Sequence, residues 1–212
     1  MSDFGDLFGK PPAPSGPPRV TFVCTGNICR SPLAEKVLTA RLASSGAGIV
    51  VSSAGLHAVV GSPMDQIPAE IARRSGADPE HRGAQIDRAL VDSSSLVLTM
   101  TRDQRSELVA EFPSAMKRTF TLVEFTRILS ELPGLVASPD AASGRVLFDV
   151  TLDASRNRGG SALRDGADVD DPSRRWAEVL EAGGGRCVAL VDTLAAALTT
   201  APQDRSQSFT SR

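Results

Sequence analysis

Val20-Thr21-Phe22-Val23 is a short, largely β-branched run that ends at Cys24, and a helical pattern opens a few residues later at Pro32. A buried strand that feeds a helix through a short turn is the first half of a βαβ unit, which narrows the chain to folds built on parallel strands. The same alternation recurs. Ile49-Val50-Val51-Ser52 reads as a second strand closed by the turn Ser53-Ala54-Gly55, Leu96-Val97-Leu98-Thr99-Met100 as a third, and Thr119-Phe120-Thr121-Leu122 as a fourth. Helices are expected over 32–46 and 67–75 from apolar residues returning at helical spacing, over 101–112 as a polar helix capped by Thr101 and ended by Pro113, and over 123–131. A last helical pattern covers 176–198. It carries Gly183-Gly184-Gly185, each costing about 1 kcal/mol in a helix interior, and reads as a final helix, whole or broken at that triplet. Right-handed crossovers then predict an α/β single domain with a four-stranded parallel sheet covered on both faces, and ligands bind such sheets beyond the carboxyl ends of the strands, where Cys24 lies.

The two ends of the chain read differently from its middle. Residues 1–18 concentrate proline in Lys10-Pro11-Pro12-Ala13-Pro14-Ser15-Gly16-Pro17-Pro18 and predict a flexible leader, and 201–212 predict a flexible polar tail around a domain at 19–200. Residues 132–170 are rich in Gly, Ser, Asp and Arg. That is too long for an ordinary connection, and it predicts an insertion that is either mobile or a functional cover.

Basic and acidic side chains nearly balance, 23 against 25, so no nucleic-acid partner is expected. No run approaches the roughly 18 apolar residues needed to span a bilayer, and the N-terminus lacks the apolar core of an export signal. The expectation is a cytoplasmic protein with no membrane partner, a monomer or weak dimer. Three cysteines in such a chain speak for thiol chemistry rather than a disulfide scaffold.

That chemistry is concentrated in Cys24-Thr25-Gly26-Asn27-Ile28-Cys29-Arg30-Ser31-Pro32. A loop of this length running into a helix can turn its backbone N–H groups inward as an anion nest, with a phosphate dianion as the natural guest. Arg30 can grip two phosphate oxygens at once, which lysine cannot, and the same positive field favours a thiolate at Cys24. Taken singly, a cysteine after a strand is usually a small core residue and an arginine at a helix start is usually solvated. Cys and Arg at this interval, between a strand and a helix, make a phosphate site with a thiol nucleophile the better reading.

The segment resembles the low-molecular-weight protein tyrosine phosphatases of bacterial type, as do Asp171-Pro172, Ser52-Ser53-Ala54-Gly55-Leu56, His81-Arg82-Gly83-Ala84-Gln85-Ile86 and Leu96-Val97-Leu98-Thr99-Met100. The resemblance implies a flavodoxin-like three-layer sandwich and a metal-independent, cofactor-free hydrolysis of protein phosphotyrosine through a phosphocysteine. By it Cys24 is the nucleophile, Asp171 the general acid, and Arg30 with the amides of Thr25, Gly26, Asn27, Ile28, Cys29 and Ser31 the phosphate cradle. Ser31, as sulfur donor and helix cap, supports the loop with Asn27, Ser53 and His81. Leu56, His57, Ser173 and Trp176 are the expected substrate rim. Ser173 stands where family members commonly carry tyrosine, and Leu56-His57-Ala58-Val59-Val60 lacks the aromatic often found there, so reaction type is better defined than substrate. The stretch 56–61 also resembles bacterial relatives acting on tyrosine kinases of polysaccharide export.

Three other readings compete. A related group acts on phosphoarginine and is distinguished by threonine where this chain has Ile28. Arsenate reduction would relay a disulfide through Cys24, Cys29 and Cys187. A non-catalytic phosphate-binding module, or a metal site from Cys24, Cys29, His57 and His81, is the third, and the Cys-to-Arg interval fits no zinc spacing.

Overall fold

The computed structural model describes residues 13–131, 144–156, 168–169 and 177–199. Four strands, β1 (Arg19–Cys24), β2 (Val50–Gly55), β3 (Leu96–Thr99) and β4 (Thr119–Thr121), pair in the order β2-β1-β3-β4, every pair parallel. The helices are α1 (Arg30–Leu42), α2 (Gln66–Arg74), α3 (Arg88–Ser93), α4 (Arg102–Glu111), α5 (Leu122–Glu131), α6 (Gly144–Arg156) and α7 (Ala177–Thr199).

Strand periodicity sorts the core into two layers. Val20, Phe22, Leu96 and Leu98 face a large cluster that includes Leu33, Val37, Phe125 and Val191 from α1, α5 and α7. The intervening Val23 and Val97 face a smaller cluster with Val91 of α3 and Leu108 of α4. Helices therefore cover both faces, as a parallel sheet requires, and the molecule is the expected flavodoxin-like sandwich. Truncating the fully buried Phe22 to alanine would cost about 3–5 kcal/mol.

Several boundaries depart from expectation. β2 continues through Gly55 instead of turning at Ser53, because the β1 ladder holds it as far as the Cys24–Gly55 pair. α1 begins at Arg30, so Pro32 lies inside its first turn, and the cap position falls on Cys29, which makes no side-chain capping bond. Ser31 is thus not the cap. α3 was not expected; Asp87 caps it by accepting the Leu90 N–H at 2.7 Å.

Within 132–170, α6 is a regular helix, and its Leu147, Val150 and Ala154 join the large core cluster. This part of the stretch is packed framework. α7 runs unbroken through the glycine triplet, and Gly184 shows why: a Cβ there would lie 2.3 Å from Ile71 Cδ1 of α2. The close approach of the two helices offsets the weak helix propensity of glycine.

The chain leaves β1 for β2 on one side and later returns to β3 on the other, so the switch point lies between β1 and β3. Cys24 ends β1 at that point.

Candidate active site

The loop from Cys24 to Arg30 is held by its carbonyls. Cys24 O accepts from Leu56 N (2.9 Å), Thr25 O from His57 N (2.9 Å), Gly26 O from Val59 N (3.0 Å) and Ile28 O from Asp65 N (2.8 Å). Asn27 O accepts from His81 Nε2 at 2.8 Å. In a trans peptide the N–H points opposite to the carbonyl, so a loop whose successive carbonyls are all tied outward turns the following amides inward. The result is a concave row of donors ahead of the α1 N-terminus, with the helix dipole adding positive potential. Asn27 sits at φ 54°, a left-handed conformation that asparagine tolerates and a tight anion loop uses.

A directed hydrogen-bond chain ends on the sulfur. Asn27 Oδ1 accepts from Ala84 N at 2.8 Å, which orients the amide so that Nδ2 donates to both Ser31 Oγ and Ser53 Oγ, each at 2.9 Å. Ser53 Oγ donates its own hydrogen bond to Glu35 Oε2. Ser31, already an acceptor, has one proton to give, and Cys24 Sγ lies 2.9 Å away; the alternative acceptor, Ala54 O, is at 3.4 Å. The Asn27 N–H also reaches Cys24 Sγ at 3.3 Å. Two donors thus converge on one sulfur. Ser31, Asn27, Ser53 and His81 are brought together as expected. Glu35, which also lies 3.9 Å from His81 Nδ1, completes the set without any signal in the linear sequence.

Arg30 is buried, and its Nη1 donates to Val169 O at 3.0 Å. Val169 N in turn bonds Met100 O at the end of β3 (2.8 Å), and Asp168 Oδ1 accepts the Arg102 N–H (2.9 Å). The segment that leads into Asp170-Asp171-Pro172 is thereby fastened beside the arginine. Asp171, Ser173 and Trp176 lie outside the described residues.

The expected rim divides. His57 is exposed and pairs with Glu107 at 2.7 Å. Leu56 is only 4% exposed and packs with Val23 and Ile86, so it belongs to the core and not to the rim: directly after β2, it joins the same cluster as Ala54 two residues before it, and its N–H is held by Cys24 O. Val59 and Ile28 lie beside the loop instead. A methyl group built on Gly26 would lie 3.5 Å from Ile28 Cγ1 and 3.8 Å from Val59 Cγ2, so these two side chains flank the loop.

The remaining thiols are differently employed. Cys29 Sγ donates to Asp65 Oδ2 at 2.7 Å, and burial, then that hydrogen bond and the carboxylate charge, push its thiol far above the ordinary range. Complete burial pushes Cys187 up to about 12, against the opposing charge of Arg30, and its Sγ lies 3.9 Å from Arg30 O under α1. Neither is poised as a thiolate for a disulfide relay. Cys24, Cys29, His57 and His81 do not converge, and among the described residues no group of three or more His, Cys, Asp or Glu is arranged to hold a metal ion.

Gln104 is a further site residue that the sequence reading did not single out. It is buried, and its Nε2 donates to Thr25 Oγ1 at 3.0 Å. The Thr101-x-x-Gln104 spacing of a capping box was its only signal.

Comparison with known proteins agrees with this geometry. The family model described as low molecular weight phosphotyrosine protein phosphatase matches residues 19–154. A protein-arginine-phosphatase of Geobacillus stearothermophilus is 36% identical over 123 residues, 58% of this chain and 79% of that protein. A probable low molecular weight protein-tyrosine-phosphatase EpsP of Ralstonia solanacearum is 39% identical over 106 residues, 50% of this chain and 70% of the relative. The crystal structure of the low molecular weight protein tyrosine phosphatase from T. tengcongensis superposes with a TM-score of 0.62 at 27% identity, covering 84% of this chain and 97% of that one.

Proposed function

Since this chain belongs to the low molecular weight phosphotyrosine protein phosphatase family, we propose that it hydrolyses phosphotyrosine in proteins by two displacements at Cys24. The observation that carries the reading is the loop itself, with carbonyls tied outward, amides inward, and the Ser31 proton aimed at the sulfur. The thiolate attacks phosphorus and the aryl oxygen leaves with a proton. Water then attacks the phosphocysteine and returns the thiolate. Splitting the reaction in this way replaces one slow hydrolysis by two easier steps. Arg30 and the loop amides meet the charge on the equatorial oxygens, so the route draws on preorganised donors and needs no metal ion.

Asp171 is the proposed acid for the first step and base for the second. Val169 is held by Arg30 and Met100, and two residues of chain reach no more than about 7 Å, which supports delivery of Asp171 to the same crevice. Asp168 is already engaged with the Arg102 N–H and is the weaker candidate for that role.

The flanking Ile28 and Val59 favour an aromatic ester over phosphoarginine, because apolar side chains beside the mouth bind a flat ring and offer nothing to a guanidinium. A tyrosine-phosphorylated protein is the proposed partner, of the class of bacterial tyrosine kinases of polysaccharide export. The proposed setting is the cytoplasm, as a monomer or weak dimer. No helix among the described residues is long and apolar enough to cross a membrane.

The test is hydrolysis of an aryl phosphate and of phosphotyrosine, phosphoserine and phosphoarginine peptides by purified protein in chelator. Activity toward phosphotyrosine that survives chelation and disappears in Cys24→Ser is expected. Metal-dependent turnover would overturn the mechanism, and preference for phosphoarginine would overturn the substrate.

A further inference from the structure

The end of β3 and the start of α4 touch both halves of the site. Gln104 Oε1 accepts the backbone N–H groups of Met100 (3.1 Å) and Thr101 (3.2 Å), and Gln104 N accepts nothing but donates to Thr101 Oγ1 at 3.2 Å, completing a capping box. A glutamate would serve that cap equally well, since the cap uses only a side-chain acceptor. What glutamate cannot supply is an N–H donor to Thr25 Oγ1, directly after the nucleophile; its carboxylate would instead accept the Thr25 hydroxyl proton and reverse the bond. Within the same five residues, Met100 O holds Val169 N and the Arg102 N–H holds Asp168, the anchors of the segment ahead of Asp171.

We propose that Gln104 is a positioning residue for the reaction, tying the Thr25 side of the phosphate loop to the Met100–Arg102 anchor of the acid-bearing segment. The inference rests on the phosphatase reading above. Because Thr25 Oγ1 accepts from Gln104, its own proton is left for the loop mouth, where Thr25 is exposed and a phosphate oxygen or the leaving oxygen would sit. Gln104 touches no reacting atom. It acts by keeping the nucleophile loop and the anchor in one register, and a small misplacement of reacting groups is costly.

A double-mutant cycle with Gln104→Glu and Thr25→Val tests this, using p-nitrophenyl phosphate and full-length protein. Gln104→Glu keeps the cap acceptor, so the hydrogen exchange of 102–111 should match the wild type, whereas its carboxylate draws the Thr25 proton away from the loop mouth. Its kcat should fall about tenfold with a smaller change in KM. In the Thr25→Val background the same substitution should cost little more, because the tether is already gone. The added negative charge would act in both backgrounds, so fully additive losses would overturn the proposal, as would a wild-type kcat in Gln104→Glu. If the wild type itself failed to hydrolyse the aryl phosphate, the phosphatase reading would fall first and this inference with it.

Discussion

Ser31 Oγ lies 2.9 Å from Cys24 Sγ with its acceptor side already engaged by Asn27 Nδ2, so its single proton is directed at the sulfur. That polarity is imposed from a distance, by Ala84 N fixing the Asn27 amide and by Glu35 accepting from Ser53. The nucleophile is therefore set by residues drawn from β2, α1 and the loop before α3, and each can be tested separately.

Ser31→Ala removes a hydrogen bond to the proposed nucleophile and should lower kcat about 10- to 100-fold. The second step should suffer more, because there the sulfur must depart as a thiolate. A burst of aryl alcohol followed by a slow steady state in stopped flow is the expected record. Wild-type turnover would take Ser31 out of the mechanism.

Asp171→Ala should slow hydrolysis by about 10²- to 10⁴-fold for esters with poor leaving groups and much less for good ones, while Asp170→Ala should be mild. A series of aryl phosphates of graded leaving-group acidity reads the difference directly. The opposite ranking of the two variants would move the acid to Asp170.

Adjacent glycines of α7 should respond with opposite sign. Gly185→Ala meets nothing within 4 Å and should stabilise the protein by about 1 kcal/mol through helix propensity. Gly184→Ala drives a methyl into Ile71 Cδ1 at 2.3 Å and should destabilise by about 1–3 kcal/mol. Urea unfolding of the two variants settles it, and equal effects would contradict the packing of α7 on α2.

Stability should decline in alkali. Cys187, raised from 9.0 to about 12, and Cys29, raised by burial and by Asp65, stay protonated in the fold after the unfolded chain's thiols begin to ionise. The unfolded state then binds fewer protons, so the thiol contribution is complete below about pH 9 and lost as pH rises toward the folded value, at up to about 1.4 kcal/mol per pH unit for each thiol. Urea midpoints measured upward from neutrality should show a shallower alkaline fall in Cys187→Ala, which also loses some stability at every pH. Parallel curves for variant and wild type would refute the assignment.

Parts of the site were legible in one dimension because they are local. Cys24 and Arg30 belong to one strand, loop and helix start, Asn27 carries its own tolerance for positive φ, and Thr101 announces a helix by its type and place. Reading failed where a residue's role is set by a partner far along the chain. Leu56, expected at the rim, packs inward beside Ala54 and Val23, and α6 is hidden in a stretch whose composition suggests an insertion.

The alternation of strands and helices and the Cys-x5-Arg loop determined the fold class and the chemistry, since both follow from periodicity and from residues within one turn of each other. Tertiary structure alone decided which groups aim at the sulfur and which hold the loop. Glu35 meets Ser53, Gln104 meets Thr25 and Val169 meets Arg30 only after the sheet has closed in the order β2-β1-β3-β4. Hydrogen bonds of this kind are short-ranged and directional, so they come into being with the packing that brings their partners within about 3 Å, and no property of either residue by itself foretells them.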